Sequence, residues 1–207
     1  MPVQLAVQAE VVDLRLDTPL PTDRFLIDTN VWFWTTYSWA NQTAHPYQIE
    51  HYPNFLNRAL RAPSSIYFCT LTFAELTHAI EHAEWTIYKG ASPSKSDLPL
   101  KEYRHNDPSL RADVVAEIQS AWGIITAMAQ PLDLTIDLQM TDAALARLSV
   151  NQVDGYDLFI LEAMQRHGIS QVVTDDGDFA TVPGIQVFTA NINVLALAHA
   201  QGKLIAR

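Results

Sequence analysis

Only one cysteine occurs in the chain, Cys69 in "SSIYFCTLT", so no two of its own thiols can pair, and the composition suits a reducing, cytoplasmic compartment. Long apolar runs are missing too. No stretch approaches the roughly 20 residues of a membrane helix, and "MPVQLAVQAEVVDLRLD" lacks the basic start and apolar centre of a signal peptide. A membrane location is therefore not expected. Basic side chains are scarce, with 13 Lys and Arg against 23 Asp and Glu and a formal charge of -10. That balance argues against a passive surface for polyanions. It leaves room for an enzyme of nucleic acids, because acids gathered around a divalent cation are neutralised when the metal binds. Internal repeats and low-complexity tracts are absent.

The 207 residues, 48% hydrophobic and 17% charged, are enough for one substantial core. Residues 1–24, ending in the Pro-punctuated "DTPLPTDR", read as an arm preceding a domain that spans 25–207. "RFLID" reads as a buried strand, "TNVWFWTTYSW" as the start of an aromatic-rich helix, and "PYQIEHYPNFLNRALRA" as an amphipathic helix despite Pro53. "SIYFCTLT" has strand character, and "FAELTHAIEHAEWTIY" has helical periodicity. Residues 89–108, punctuated by Gly and Pro, read as a loop or insertion. A helix follows from Asp107 and Pro108, then an extended "LDLTID", a short helix at "TDAALARLS", and a helix "DGYDLFILEAMQRHG" closed by Gly168. "SQVVT" and "IQVFT" read as strands and "NINVLALAHAQGK" as a closing helix. This alternation predicts an α/β fold of three layers, a mainly parallel sheet flanked by helices.

Such sheets place ligands beyond the carboxyl ends of their strands. Acids stand at four element boundaries: Asp28 after "FLI", Glu75 at a helix start, Asp154 and Asp157 at another, and Asp175, Asp176 and Asp178 after "QVVT". Each has an ordinary explanation alone. Asp28 can form an Asx-turn, "TFAE" is a capping box, Asp154 is a good N-cap, and "DDGD" can be a hydrated turn.

Together, "IDTNV", "TFAEL", "YDLFILEAM" and "VTDDGDF" resemble, in order and local pattern, the PIN-domain family of metal-dependent ribonucleases, which includes the VapC-type toxins of bacterial toxin-antitoxin pairs. The last piece fits the family pattern T-x-D-x-D-F at Thr174, Asp176 and Asp178. The resemblance implies a catalytic and metal-binding quartet of Asp28, Glu75, Asp157 and Asp176, with Asp178 as a further ligand and Thr174 as an accessory. Asp175 occupies the variable position. Asp154 competes with Asp157 because residues three apart share a helical face, and Thr29 and Asn30 are placed to orient a carboxylate or a water. Oxygen ligands suit Mg²⁺ or Mn²⁺, and such a cation would activate water for hydrolysis of RNA phosphodiester bonds. The resemblance also implies a homodimer and, for a toxin, a cognate antitoxin protein; the arm and the insertion make the chain longer than compact toxins, which leaves an RNA-processing role outside such a pair open.

Three other readings are open. "HAIEH", with His78, Glu81 and His82, matches an inverted zinc-peptidase motif, although spacing selects no third ligand. A haloacid-dehalogenase-like phosphatase would need an Asp where Asn30 stands and a late Lys, whereas no Lys lies between Lys101 and Lys203. A PIN-like module that binds metal or protein without catalysis would look the same in sequence. Residues 89–111 carry five basic against three acidic side chains, so Lys95, Lys101 and Arg104 are candidates for holding RNA, or the segment is a solvated insertion. Trp32, Trp34, Tyr37 and Trp39 are expected to divide between core and a dimer or antitoxin surface.

Overall fold

The structure, a computed structural model, describes residues 5–91 and 93–207; Met1 to Gln4 of the expected arm and Ser92 of the expected insertion lie outside these. In chain order the elements are β1 (Glu10–Asp13), β2 (Arg24–Ile27), α1 (Thr29–Thr36), α2 (Pro46–Arg61), β3 (Ser65–Cys69) and α3 (Thr72–Gly90). Then come α4 (Leu100–Asn106), α5 (Pro108–Met128), β4 (Gln130–Leu132), α6 (Leu138–Leu148), α7 (Gly155–Arg166), β5 (Gln171–Val173), β6 (Gln186–Thr189), α8 (Ile192–Ala200) and β7 (Leu204–Ile205). Among the described residues no helix is long and apolar enough to cross a membrane.

The strands form one parallel sheet in the order β4-β3-β2-β5-β6-β1-β7. Side chains alternate across it, as the two-residue period of a strand requires. Phe25, Ile27, Phe68, Val173 and Phe188 face a core shared with α1, α2, α3 and α5. Leu26, Cys69, Val172 and Val187 face a second core under α6 and α7, and Val11 packs with α8 residues Val194, Leu195 and Ala198. Buried on both sides, the strands read as nearly unbroken apolar runs. This is the expected three-layer α/β fold.

From β2 the chain winds outward through β3 to β4, then returns to the other side of β2 with β5. The strand order therefore reverses between β2 and β5, the place where open α/β sheets form a crevice. Ile27 pairs with Val173, and the Asp28 N–H donates to the Val173 carbonyl at 3.1 Å, so Asp28 and Thr174 leave the sheet side by side.

Two expectations need correction. Residues 10–13 of the expected arm are β1, seated between β6 and β7. The short apolar "VV" within acidic flanks gives little local signal, and its strand conformation is supplied by neighbours far along the chain. The expected loop at 89–108 is also partly helical: α3 runs through Gly90, and α4 lies inside the segment. Tyr103 is buried, the Trp85 indole donates to the Leu98 carbonyl at 2.8 Å, and Arg104 pairs with Glu81, which folds the segment onto α3.

Candidate active site

A cleft of about 380 Å³ opens at the carboxyl ends of the central strands, lined by Asp28, Thr29, Asn30, Phe33, Trp34, Glu75, Ala79, Asp154, Asp157 and Asp176. All four expected quartet residues are brought together there from four elements, and Asn30 and Asp154 join them. No Lys or Arg is in this lining.

The chain fixes each acid locally. Asp28 caps α1, accepting from the Thr29 N–H at 2.6 Å, while its other oxygen accepts from Asn30 Nδ2 at 2.7 Å and Thr174 Oγ1 at 2.6 Å. Thr174 is wholly buried beneath the cleft and also accepts from the Asp176 N–H at 2.9 Å. It ties the ends of β2 and β5 together. Asp176 in turn accepts from the Asp178 N–H at 2.9 Å. Asp178 lies outside the lining, although burial, then Asp176 and Asp154, raise its carboxyl above the ordinary range. Glu75 accepts from the Thr29 hydroxyl at 2.5 Å rather than capping α3. Asp154 caps α7 through the N–H groups of Tyr156 and Asp157, which leaves Asp157 to turn inward, buried among the acids.

Electrostatics record that crowding. Burial pushes the Asp28 carboxyl up to about 7, opposed by the Thr174 hydrogen bond and helped by Glu75 and Asp176. Burial pushes Asp157 up to about 9, with Asp28, Asp154, Asp176 and Glu75 adding to it. Glu75 is raised by burial, against the Thr29 hydrogen bond, and by Asp154. The carboxylates are thus short of positive charge.

Among the described residues no three His, Cys, Asp or Glu side chains are drawn close enough to hold an ion as they stand. The acids line a cleft rather than meet at a point. Their chemistry nevertheless fits a hard cation, because the donors are carboxylate oxygens and no ammonium or guanidinium in the lining competes. Among the described residues the Asn30 Oδ1 is buried without a partner.

Asp175 has a different task. It points away from the cleft and accepts from Tyr47 Oη at 2.8 Å, Gln48 Nε2 at 2.8 Å and Tyr52 Oη at 2.6 Å, fastening α2 to the end of β5. None of Lys95, Lys101 and Arg104 lines the cleft. Lys95 sits 3.8 Å over the Tyr88 ring, and Arg104 is committed to Glu81. That commitment also bears on "HAIEH": Glu81 is held by Arg104 and Arg111, and the hollow beside His78 and His82 contains no carboxylate. Trp32 and Tyr37 are core, Trp34 forms part of the cleft wall, and Trp39 is exposed. Phe33 and Ala79 were not singled out by sequence, although each lies one helical turn beyond a cleft residue, Thr29 and Glu75 respectively.

The family model described as PIN domain matches residues 25–185. No curated protein matches the chain. Among solved structures, the crystal structure of VapBC2 from Rickettsia felis bound to a DNA fragment from their promoter aligns at 14% identity and a TM-score of 0.45, covering 80% of this chain and 97% of that one. The family match takes in the ends of β2, β3 and β5 and the start of α7, every element that feeds the cleft, and the chain belongs to the PIN-domain family.

Proposed function

We propose that this protein is a Mg²⁺- or Mn²⁺-dependent endoribonuclease. The observation that carries the reading is the convergence of Asp28, Glu75, Asp157 and Asp176 from four elements on one cleft without a cationic side chain in its lining. PIN domains are generally nucleases, which supports hydrolysis of a phosphodiester. In this reading those four side chains hold the cation, and Asp178 supports Asp176 from the adjoining turn. Thr174 and Asn30 hold the Asp28 carboxylate in place, and Thr29 does the same for Glu75. Asp157 is preferred to Asp154 as ligand, because Asp154 spends one oxygen on the α7 N-cap while Asp157 is buried facing the other acids. A divalent cation bound there would supply Lewis acidity toward the phosphate and lower the pKa of the attacking water.

The test is incubation of RNA with the protein and with Asp28→Asn, in Mg²⁺, Mn²⁺, Zn²⁺ or EDTA. Cleavage should require Mg²⁺ or Mn²⁺ and fall by at least about 100-fold in the variant, the scale of removing a group that acts on the transition state. Cleavage that survives EDTA or Asp28→Asn overturns the assignment. Metal binding with no hydrolysis of any RNA would favour a non-catalytic module. Action as the toxin of a pair, as a homodimer restrained by an antitoxin, belongs to the same reading. Its measure is growth arrest on expression that Asp28→Asn relieves.

A further inference from the structure

Asp154 also borders a second hollow of about 520 Å³, lined by Leu71, Ile136, Asp154, Gly155, Tyr156 and Phe159. Asp154 belongs to both linings, so an apolar chamber adjoins the acidic cleft. Tyr156 is 52% and Ile136 53% exposed there. The Tyr156 side chain makes no hydrogen bond or ring contact among the described residues. Across the acids, Phe33 and Trp34 form the opposite wall, with the Trp34 ring packed 5.2 Å from that of Tyr52.

A nucleic-acid strand laid across the cleft and the chamber meets carboxylates and, in either lining, no Lys or Arg. Bound cation offsets repulsion at the phosphate it touches, but the phosphate contacts that usually dominate affinity are missing. Attraction must come from the bases. An unstacked base offers a flat apolar face that matches an exposed phenol ring in an apolar hollow, and such stacking changes affinity by about 5- to 150-fold per base. In a duplex the bases are already stacked on one another and cannot be given up without cost.

We propose that the chamber beside α7 is a nucleobase subsite, in which a base of single-stranded RNA stacks on Tyr156 between Phe159 and Ile136 while the neighbouring phosphate reaches the acids. The role given to the acids rests on the nuclease reading; the binding of the base does not. Fluorescence anisotropy with a short labelled single-stranded RNA, the same strand made abasic, and its duplex, in Ca²⁺, measures the subsite apart from cleavage. The parent protein should prefer the intact single strand. Tyr156→Ala should weaken that binding by about 5- to 150-fold and leave the abasic strand unaffected, and Tyr156→Phe should stay close to the parent value. Equal binding of single strand and duplex, or no effect of Tyr156→Ala on the intact strand, overturns the proposal. So does a change of molar mass by light scattering in Tyr156→Ala, which would give the chamber to a second copy of the chain. Strand-selective binding without cleavage in Mg²⁺ or Mn²⁺ sinks only the nuclease reading, whereas cleavage indifferent to strandedness and to Tyr156→Ala sinks only the subsite.

Discussion

Neighbouring carboxylates in the turn after β5 have opposite fates, and the difference is one of partners. Asp175 accepts three hydrogen bonds from α2, whereas Asp176 faces other acids. Asp175→Ala is therefore expected to cost about 1–3 kcal/mol by urea unfolding, the cost of leaving buried donors without their acceptor, while cleavage per folded molecule persists. Asp176→Ala should do the reverse, and a shared phenotype would refute this division. The raised Asp28 and Asp157 carboxyls also give stability a definite sign. Below the ordinary carboxylate range both folded and unfolded chains hold these protons and the contribution is complete; as pH rises through about 7 and about 9 the folded form must surrender them among like charges, and the contribution is lost. Metal-free protein should melt lower at pH near 9 than near 5, Asp157→Asn should flatten the profile, and Mg²⁺ should restore stability at the alkaline end. A melting temperature in EDTA that is flat or rising over this range would contradict raised carboxyls at Asp28 and Asp157. The five acids of the cleft were legible in the sequence because each ends or begins an element whose pattern is local.

Among the elements, α4 shows how a charged segment can be spent on structure. Glu81 of α3 accepts from Arg104 Nε at 2.7 Å, from Arg104 Nη2, and from Arg111 Nη1 at 3.0 Å, which joins α3, α4 and α5. The Arg104 guanidinium, opposed by burial, holds the Glu81 carboxyl below its usual range. Because Glu81 is nearly buried and the arginines are partly exposed, Arg104→Ala should cost about 1–3 kcal/mol and expose residues 91–106 to protease, with RNA affinity and its salt dependence unchanged. A weaker salt dependence would return Arg104 to the RNA. Periodicity revealed α2, α3, α5 and α7, since 12 to 21 residues repeat an apolar face often enough to read. It missed the seven-residue α4, which has Pro99 at its N-cap and depends on Glu81 and Tyr103 for its seat.

Over the whole molecule, Arg207 ties the sheet's outer strands to the residues preceding β2. It donates to both oxygens of Asp17 and both of Asp23, at 2.7–2.9 Å, and its guanidinium lies 4.5 Å from the centre of the Phe188 ring. Removing it leaves two carboxylates buried without their cation, so Arg207→Ala should cost about 3–5 kcal/mol. For a chain of this size each kcal/mol lowers the melting temperature by about 2–4 °C. A loss under about 1 kcal/mol would mean that water reaches both acids and that the clamp is a surface pair.

What the sequence by itself determined is whatever neighbouring residues decide: strand and helix patterns, caps, the alternation that calls for a parallel sheet between helix layers, and acids at four element ends. Tertiary structure alone decided that β1 lies between β6 and β7, that Asp175 turns to α2, and that Arg207 reaches Asp17 across 190 residues of chain. The physical reason is that a local pattern sets which face of an element is apolar, whereas a charge is neutralised or stranded by groups that only the packed chain brings within a few ångströms.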